Sequence, residues 1–139
     1  YACYGLYRTK DDRWLAVGAL EPKFFQGLCA ALERPELLDG AWDTGEGGQR
    51  TRAELERIFV TRTRDEWVSL LSPLDLCIEP VREGDEVLDD PQLQARGIFV
   101  KAHDATWIRS PVRFGDVPIR PPPELGEHTA EILRECGLG

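Results

Sequence analysis

A chain of 139 residues is long enough for one compact domain with a real core and short for two. Its 42% hydrophobic and 30% charged residues argue against global disorder. The balance of 17 basic against 25 acidic residues, a net charge of −8, argues against a nucleic-acid or anionic-membrane partner held by charge.

In chain order, "YGLYRT" (4–9) alternates aromatic with small or polar side chains, "KDD" (10–12) reads as a turn, and "RWLAVGAL" (13–20) is apolar. Together they predict a β-hairpin. Glu21 then fits a helix N-cap with Pro22 at the first helical position, where its missing N–H costs nothing. Phe24, Phe25, Leu28, Ala31 and Leu32 recur at helical spacing, and Pro35 is expected to end that helix. Residues 39–49, "DGAWDTGEGGQ", read as a Gly- and Asp-rich loop. Thr51 with Glu54, and Thr63 with Glu66, have the spacing of capping boxes that would open two further helices. The apolar stripe of the first is Leu55, Ile58 and Phe59; that of the second is Trp67, Leu70 and Leu71.

"LCIEPV" (76–81) predicts a short strand whose end Pro80 fixes, and 83–88 a short helix. In "DDPQLQARG", Asp90 reads as a cap, Pro91 as the first helical residue and Gly97 as a stop. "IFVKA" (98–102) predicts a strand and "WIRSPVRF" (107–114) an edge-like one. Pro118 and the triplet at 121–123 make 115–126 an extended connector. In "EHTAEILRECGLG", Thr129 reads as the cap of a last short helix with Ile132 and Leu133 on its apolar side. The elements do not alternate as β-α-β-α would, so the class is α+β: an antiparallel hairpin or short sheet packed against several helices, then an extended C-terminal segment ending in a short helix.

Cys3, Cys29, Cys77 and Cys136 form no C-x-x-C motif; Cys29 and Cys77 read as small buried hydrophobes, and the expected setting is reduced and cytoplasmic. No run approaches the roughly 20 apolar residues of a membrane span. The two histidines, His103 beside Asp104 and His128 at a helix start, read as surface groups, and no spacing supports a metal site. Gly45, Gly47 and Gly48 lack the spacing of a phosphate-binding loop and read as a flexible loop. The hairpin aromatics Tyr1, Tyr4, Tyr7 and Trp14 either pack ordinarily or form a lip over an acyl group. Glu21 has two readings: a helix-start carboxylate facing the helix dipole, or, amid Gly18, Ala19, Leu20 and Phe24, a desolvated acid or base.

The stretch "YGLYRTKDDRWLAVGALEPKFF" resembles the pattern Y-x-x-Y-x-T-x-D-G-x-x-x-x-V-G-A-[IL]-E-P-x-F of the α-methylacyl-CoA racemases, in the family III CoA-transferase superfamily. Asp12 stands where that pattern carries a turn glycine. "RTRDEWVSLLSPLDLCIEPV", "PQLQARGIFV" and "GEHTAEILRECGL" are similar to later motifs of the same superfamily, so the resemblance runs through nearly the whole chain. It implies that residues 1–100 are a small domain and 101–139 a segment returning to a large domain that precedes Tyr1. It implies epimerisation of 2-methylacyl-CoA thioesters at the α-carbon by an interlocked homodimer. No cofactor is implied, CoA being part of the substrate. The proton-transferring His and Asp would lie upstream, with no counterpart in this chain, so this chain alone is expected to be inactive. Glu21 aligns with an active-site glutamate that orients that His, and Tyr4 and Leu20 with apolar wall positions near the acyl chain. The Glu21–Pro22 step favours the racemase branch; a CoA-transferase moving CoA between carboxylic acids, and a non-catalytic dimerisation module, are the alternatives.

Overall fold

The computed structural model describes residues 1–112, 115 and 118–138. The chain divides into two compact units, Tyr1–Arg82 and Glu83–Gly139.

In the first unit, strands β1 (Tyr4–Arg8) and β2 (Trp14–Gly18) form the expected hairpin, with Tyr4 opposite Gly18 and Arg8 opposite Trp14. Asp12 sits in its turn at φ +60°, the left-handed region that a glycine fills without strain and that a short polar side chain tolerates. Strand β3 (Ile78–Pro80) joins β2 antiparallel, giving the order β1-β2-β3. Alternation along the strands turns Tyr7, Leu15, Val17 and Ile78 inward. They form one core with Phe25, Leu28 and Cys29 of helix α1 (Pro22–Ala31), Leu55 and Phe59 of helix α2 (Glu46–Phe59), and Trp67 and Leu71 of helix α3 (Arg64–Leu71). Phe59 lies at its centre, its ring 5.1 Å from that of Tyr7 and 5.3 Å from that of Trp67. The buried polar ends are satisfied: the Tyr7 hydroxyl donates to the Ala2 carbonyl, and the Trp67 indole N–H to the Phe59 carbonyl at 2.8 Å. Burial pushes the Tyr7 phenol up to about 12.

Several local expectations change. The first helix ends at Ala31, ahead of Pro35, because the chain turns at Glu33 with φ +56°; Pro35 instead opens a 3-10 turn, Pro35–Gly40. The Thr63–Glu66 capping box is present, but Leu70 is exposed. The Thr51–Glu54 pair caps nothing. Helix α2 already runs from Glu46, so Gly47 and Gly48 lie in its first turn rather than in a flexible loop. The Asp43 carboxylate replaces the threonine cap, accepting from the backbone N–H of Gly45 at 2.7 Å and of Gly48 at 3.2 Å. A Cβ at Gly48 would run into the Asp43 carbonyl oxygen, which is why the turn needs glycine there. Thr51 is only 7% exposed. Cys29 is buried as expected, whereas Cys77 is exposed, at φ +54°, because its neighbours Leu76 and Ile78 take the inward positions. All four cysteines are free.

The hydrogen bonds from Gly45 first, and then Gly48, hold the Asp43 carboxyl below the usual carboxylate range. A lowered native value stabilises the fold above the ordinary 3.8 and loses that contribution as pH falls through the native value. Asp43→Asn is therefore expected to melt below the native protein at pH 7, with the gap closing as pH drops below 4. Thermal melts across that range check it, and a gap independent of pH would contradict it.

In the second unit, a 3-10 turn (Gly84–Val87) takes the place of the expected helix over 83–88. Helix α4 (Pro91–Ala95) is capped by Asp90, which accepts from Gln92 and Leu93 N–H, and Gly97 stops it at φ +58°. Strands β4 (Phe99–Ala102) and β5 (Ala105–Ile108) pair antiparallel. Their turn is His103–Asp104, with φ +49° and +58°, the doubly positive pair of a type I′ hairpin. The second strand thus starts before 107 and ends at Ile108; 113 and 114 lie outside the described residues. Residues 118–124 hold no helix or strand, and helix α5 (Thr129–Glu135) follows. His128, not Thr129, takes the cap position of α5 and makes no side-chain cap bond; Ile132 and Leu133 are exposed. The whole is α+β: short antiparallel sheets with several helices.

Candidate active site

The joint between β2 and α1 is built by backbone hydrogen bonds. Gly18 N–H donates to the Cys77 carbonyl at 2.8 Å, which seats the end of β2 beside the start of β3. Leu20 N–H donates back to the Gly18 carbonyl at 3.0 Å, bending the chain out of the strand. Ala19 between them is buried. Glu21 follows in extended conformation (φ −74°, ψ 136°), and its carbonyl accepts from Phe24 at 3.0 Å, opening α1 behind Pro22. A further bond comes from a distant segment: the Trp42 indole N–H donates to the Leu20 carbonyl at 2.9 Å. The Trp42 ring stands edge-on to that of Phe25, 6.1 Å between centroids.

Glu21 is thus at the predicted cap position, but its side chain does not cap. The carboxylate makes no bond to the first turn and is exposed, so the desolvation expected from its apolar neighbours does not occur within this chain. Tyr4 starts β1 directly opposite Gly18 and is 59% exposed; Leu20 is 43% exposed. The fold therefore brings Tyr4, Leu20 and Glu21 to one end of the three-stranded sheet, the first two as exposed apolar surface and the third as a carboxylate with no partner among the described residues. Tyr7, by contrast, is core, while Trp14 is exposed on the outer sheet face that also carries Tyr4 and Leu6. His103 and His128 belong to the second unit and occupy a hairpin turn and a helix start.

Nothing in the sequence pattern points to Trp42 or Cys77 at this place. Trp42 lies in a stretch that reads as loop and reaches the joint across 22 positions, a contact no periodicity signals. Cys77 would be found only by its left-handed backbone, which nothing in "DLCIEP" announces.

Chemically, one carboxylate here can orient a donor or take up a proton on one side of a bound molecule. It cannot serve two opposite faces, and the unit holds no histidine to share the work. Among the described residues, no group of three or more His, Cys, Asp or Glu side chains is gathered to hold a metal ion, and no helix is long and apolar enough to cross a membrane.

The model of CoA-transferase family III matches residues 1–129. Alpha-methylacyl-CoA racemase of Homo sapiens is 29% identical over 145 residues, covering 97% of this chain and 37% of that protein. (R)-2-hydroxy-4-methylpentanoate CoA-transferase of Clostridioides difficile is 28% identical over 145 residues, covering 94% and 36%. The crystal structure of Rv3272 from Mycobacterium tuberculosis superposes with a TM-score of 0.70 at 29% identity, covering 91% of this chain and 37% of that one. The chain spans about a third of the length of the curated relatives it matches. Racemase and transferase relatives are equally similar, so overall identity does not repeat the preference read from the Glu21–Pro22 step.

Proposed function

The chain belongs to CoA-transferase family III, and from that premise we propose that it serves a 2-methylacyl-CoA racemase, in a longer protein, as small domain (1–100) and returning segment (101–139). The observation that carries this reading is the Glu21 carboxylate, exposed and without a partner among the described residues at a hydrogen-bonded strand–helix joint, beside the apolar Leu20 and Tyr4. The substrate is an acyl-CoA thioester, whose carbonyl acidifies the α-proton. A base outside this chain takes that proton, the electron pair moves into the thioester carbonyl as an enolate, and an acid on the other face returns a proton to the α-carbon. Glu21 accepts a hydrogen bond from the histidine of that pair and fixes its orientation. Leu20 and Tyr4 line the path of the acyl chain. The active form is an interlocked homodimer in the cytoplasm, with no cofactor besides the CoA of the substrate.

A second reading, a CoA-transferase, is favoured by the equal similarity to transferases. Incubation of the full-length protein with a 2-methylacyl-CoA in deuterium oxide separates the two. A racemase incorporates deuterium at the α-carbon without an added acid. A transferase exchanges its CoA onto an added carboxylic acid and leaves the α-proton in place. A non-catalytic module does neither. The 139-residue chain by itself is expected to incorporate no deuterium, and substantial incorporation would overturn the division of labour.

A further inference from the structure

We propose that Trp42 is a positioning residue for Glu21, acting through the Leu20 carbonyl; this rests on the reading of Glu21 given above. Leu20 carries the carbonyl of the peptide bond that leads into Glu21, so whatever fixes that carbonyl fixes the plane from which the carboxylate departs. The backbone bonds at the joint run within or between neighbouring strands and the helix start. The bond from Trp42 Nε1 at 2.9 Å comes instead from a side chain, and from a distant segment. The indole is held at both ends. Its ring stands against Phe25, four residues beyond Glu21 on α1, and its backbone lies between the 3-10 turn ending at Gly40 and the Asp43 carboxylate that caps α2. Trp42 is 37% exposed, far more than a side chain used only for core packing. A ring anchored on one side of Glu21 and a donor anchored on the other leave the carboxylate rotating about its own χ angles alone, not with the backbone. Such restriction is what an orienting group needs, since small misplacements of a catalytic contact cost rate steeply.

Two substitutions separate the donor from the bulk. Trp42→Phe keeps a ring against Phe25 and removes the N–H. Trp42→His keeps a five-membered ring whose Nε2 falls where the indole nitrogen was, with a hydrogen to donate in the neutral Nε2-protonated form, and removes the rest of the ring. In the full-length protein, measured by α-deuterium incorporation into 2-methylacyl-CoA, Trp42→Phe is expected to lower kcat roughly ten- to hundredfold with KM unchanged. Trp42→His is expected to retain most of kcat above pH 7. In a Glu21→Gln background, Trp42→Phe should cause little further loss, because the group it positions is gone. The proposal is overturned if Trp42→Phe turns over normally, if Trp42→His fails equally with Trp42→Phe, or if the Phe substitution costs the same factor with and without Glu21. Where Glu21→Gln alone leaves the rate intact, the reading of Glu21 falls and takes this proposal with it. A deficient Glu21→Gln beside a normal Trp42→Phe overturns the positioning role only.

Discussion

Glu21→Gln in the full-length protein is expected to lower kcat for α-deuterium incorporation by about a hundredfold or more while leaving the melting temperature nearly unchanged. The substitution preserves shape and removes only charge. The fold does not rely on that charge: the carboxylate makes no cap bond, is exposed, and leaves the start of α1 to Pro22 and the backbone. Exposed substitutions of this kind change stability by about 0.5 kcal/mol or less. Activity and stability should therefore separate cleanly. An unchanged rate would return Glu21 to the start of a helix and nothing more.

Phe59→Ala is expected to have the opposite profile, destabilising the 139-residue chain by about 3–5 kcal/mol in denaturant unfolding. Phe59 is 0% exposed and stands between Tyr7 of the sheet and Trp67 of α3, so its ring links three elements. The Trp67 indole also bonds to the Phe59 carbonyl, which fixes the backbone there and limits collapse into the vacated space. Set against total stabilities of about 5–15 kcal/mol, such a loss unfolds a large fraction of the chain. Val60→Ala, next in sequence but exposed, should cost little. A loss below about 1 kcal/mol at Phe59 would mean that the core does not turn on it.

The hairpin, three of the helices and the Asp90 cap were legible in the sequence because each rests on contacts within a few positions. Where a distant segment intervenes, the same local rule gives opposite results. Thr63 and Thr51 both have a glutamate three residues on, yet only Thr63 caps. Thr51 lies inside a helix already started by Asp43, its side chain against Gly40. His103–Asp104 reads as a surface pair outside the strands, and it is one: both residues take left-handed conformations and form the turn, whose tightness brings β5 in at Ala105 rather than 107. The position of Glu21 was readable from Pro22; its exposure was not, because the apolar neighbours Ala19 and Phe25 turn inward and leave the carboxylate outside. The partnership of Leu20 with Trp42 is a long-range contact and leaves no local trace.

The brevity of β3 limits what can pair with that edge of the sheet. Val81 N–H reaches back to the Trp14 carbonyl, so the alternate position, Pro80, turns its backbone nitrogen toward the open edge of the sheet. That nitrogen has no hydrogen to offer, and Glu79 beside it is exposed and charged. A foreign strand approaching this edge meets three residues, one of them unable to donate, so edge-to-edge growth into aggregates has no ladder to climb there.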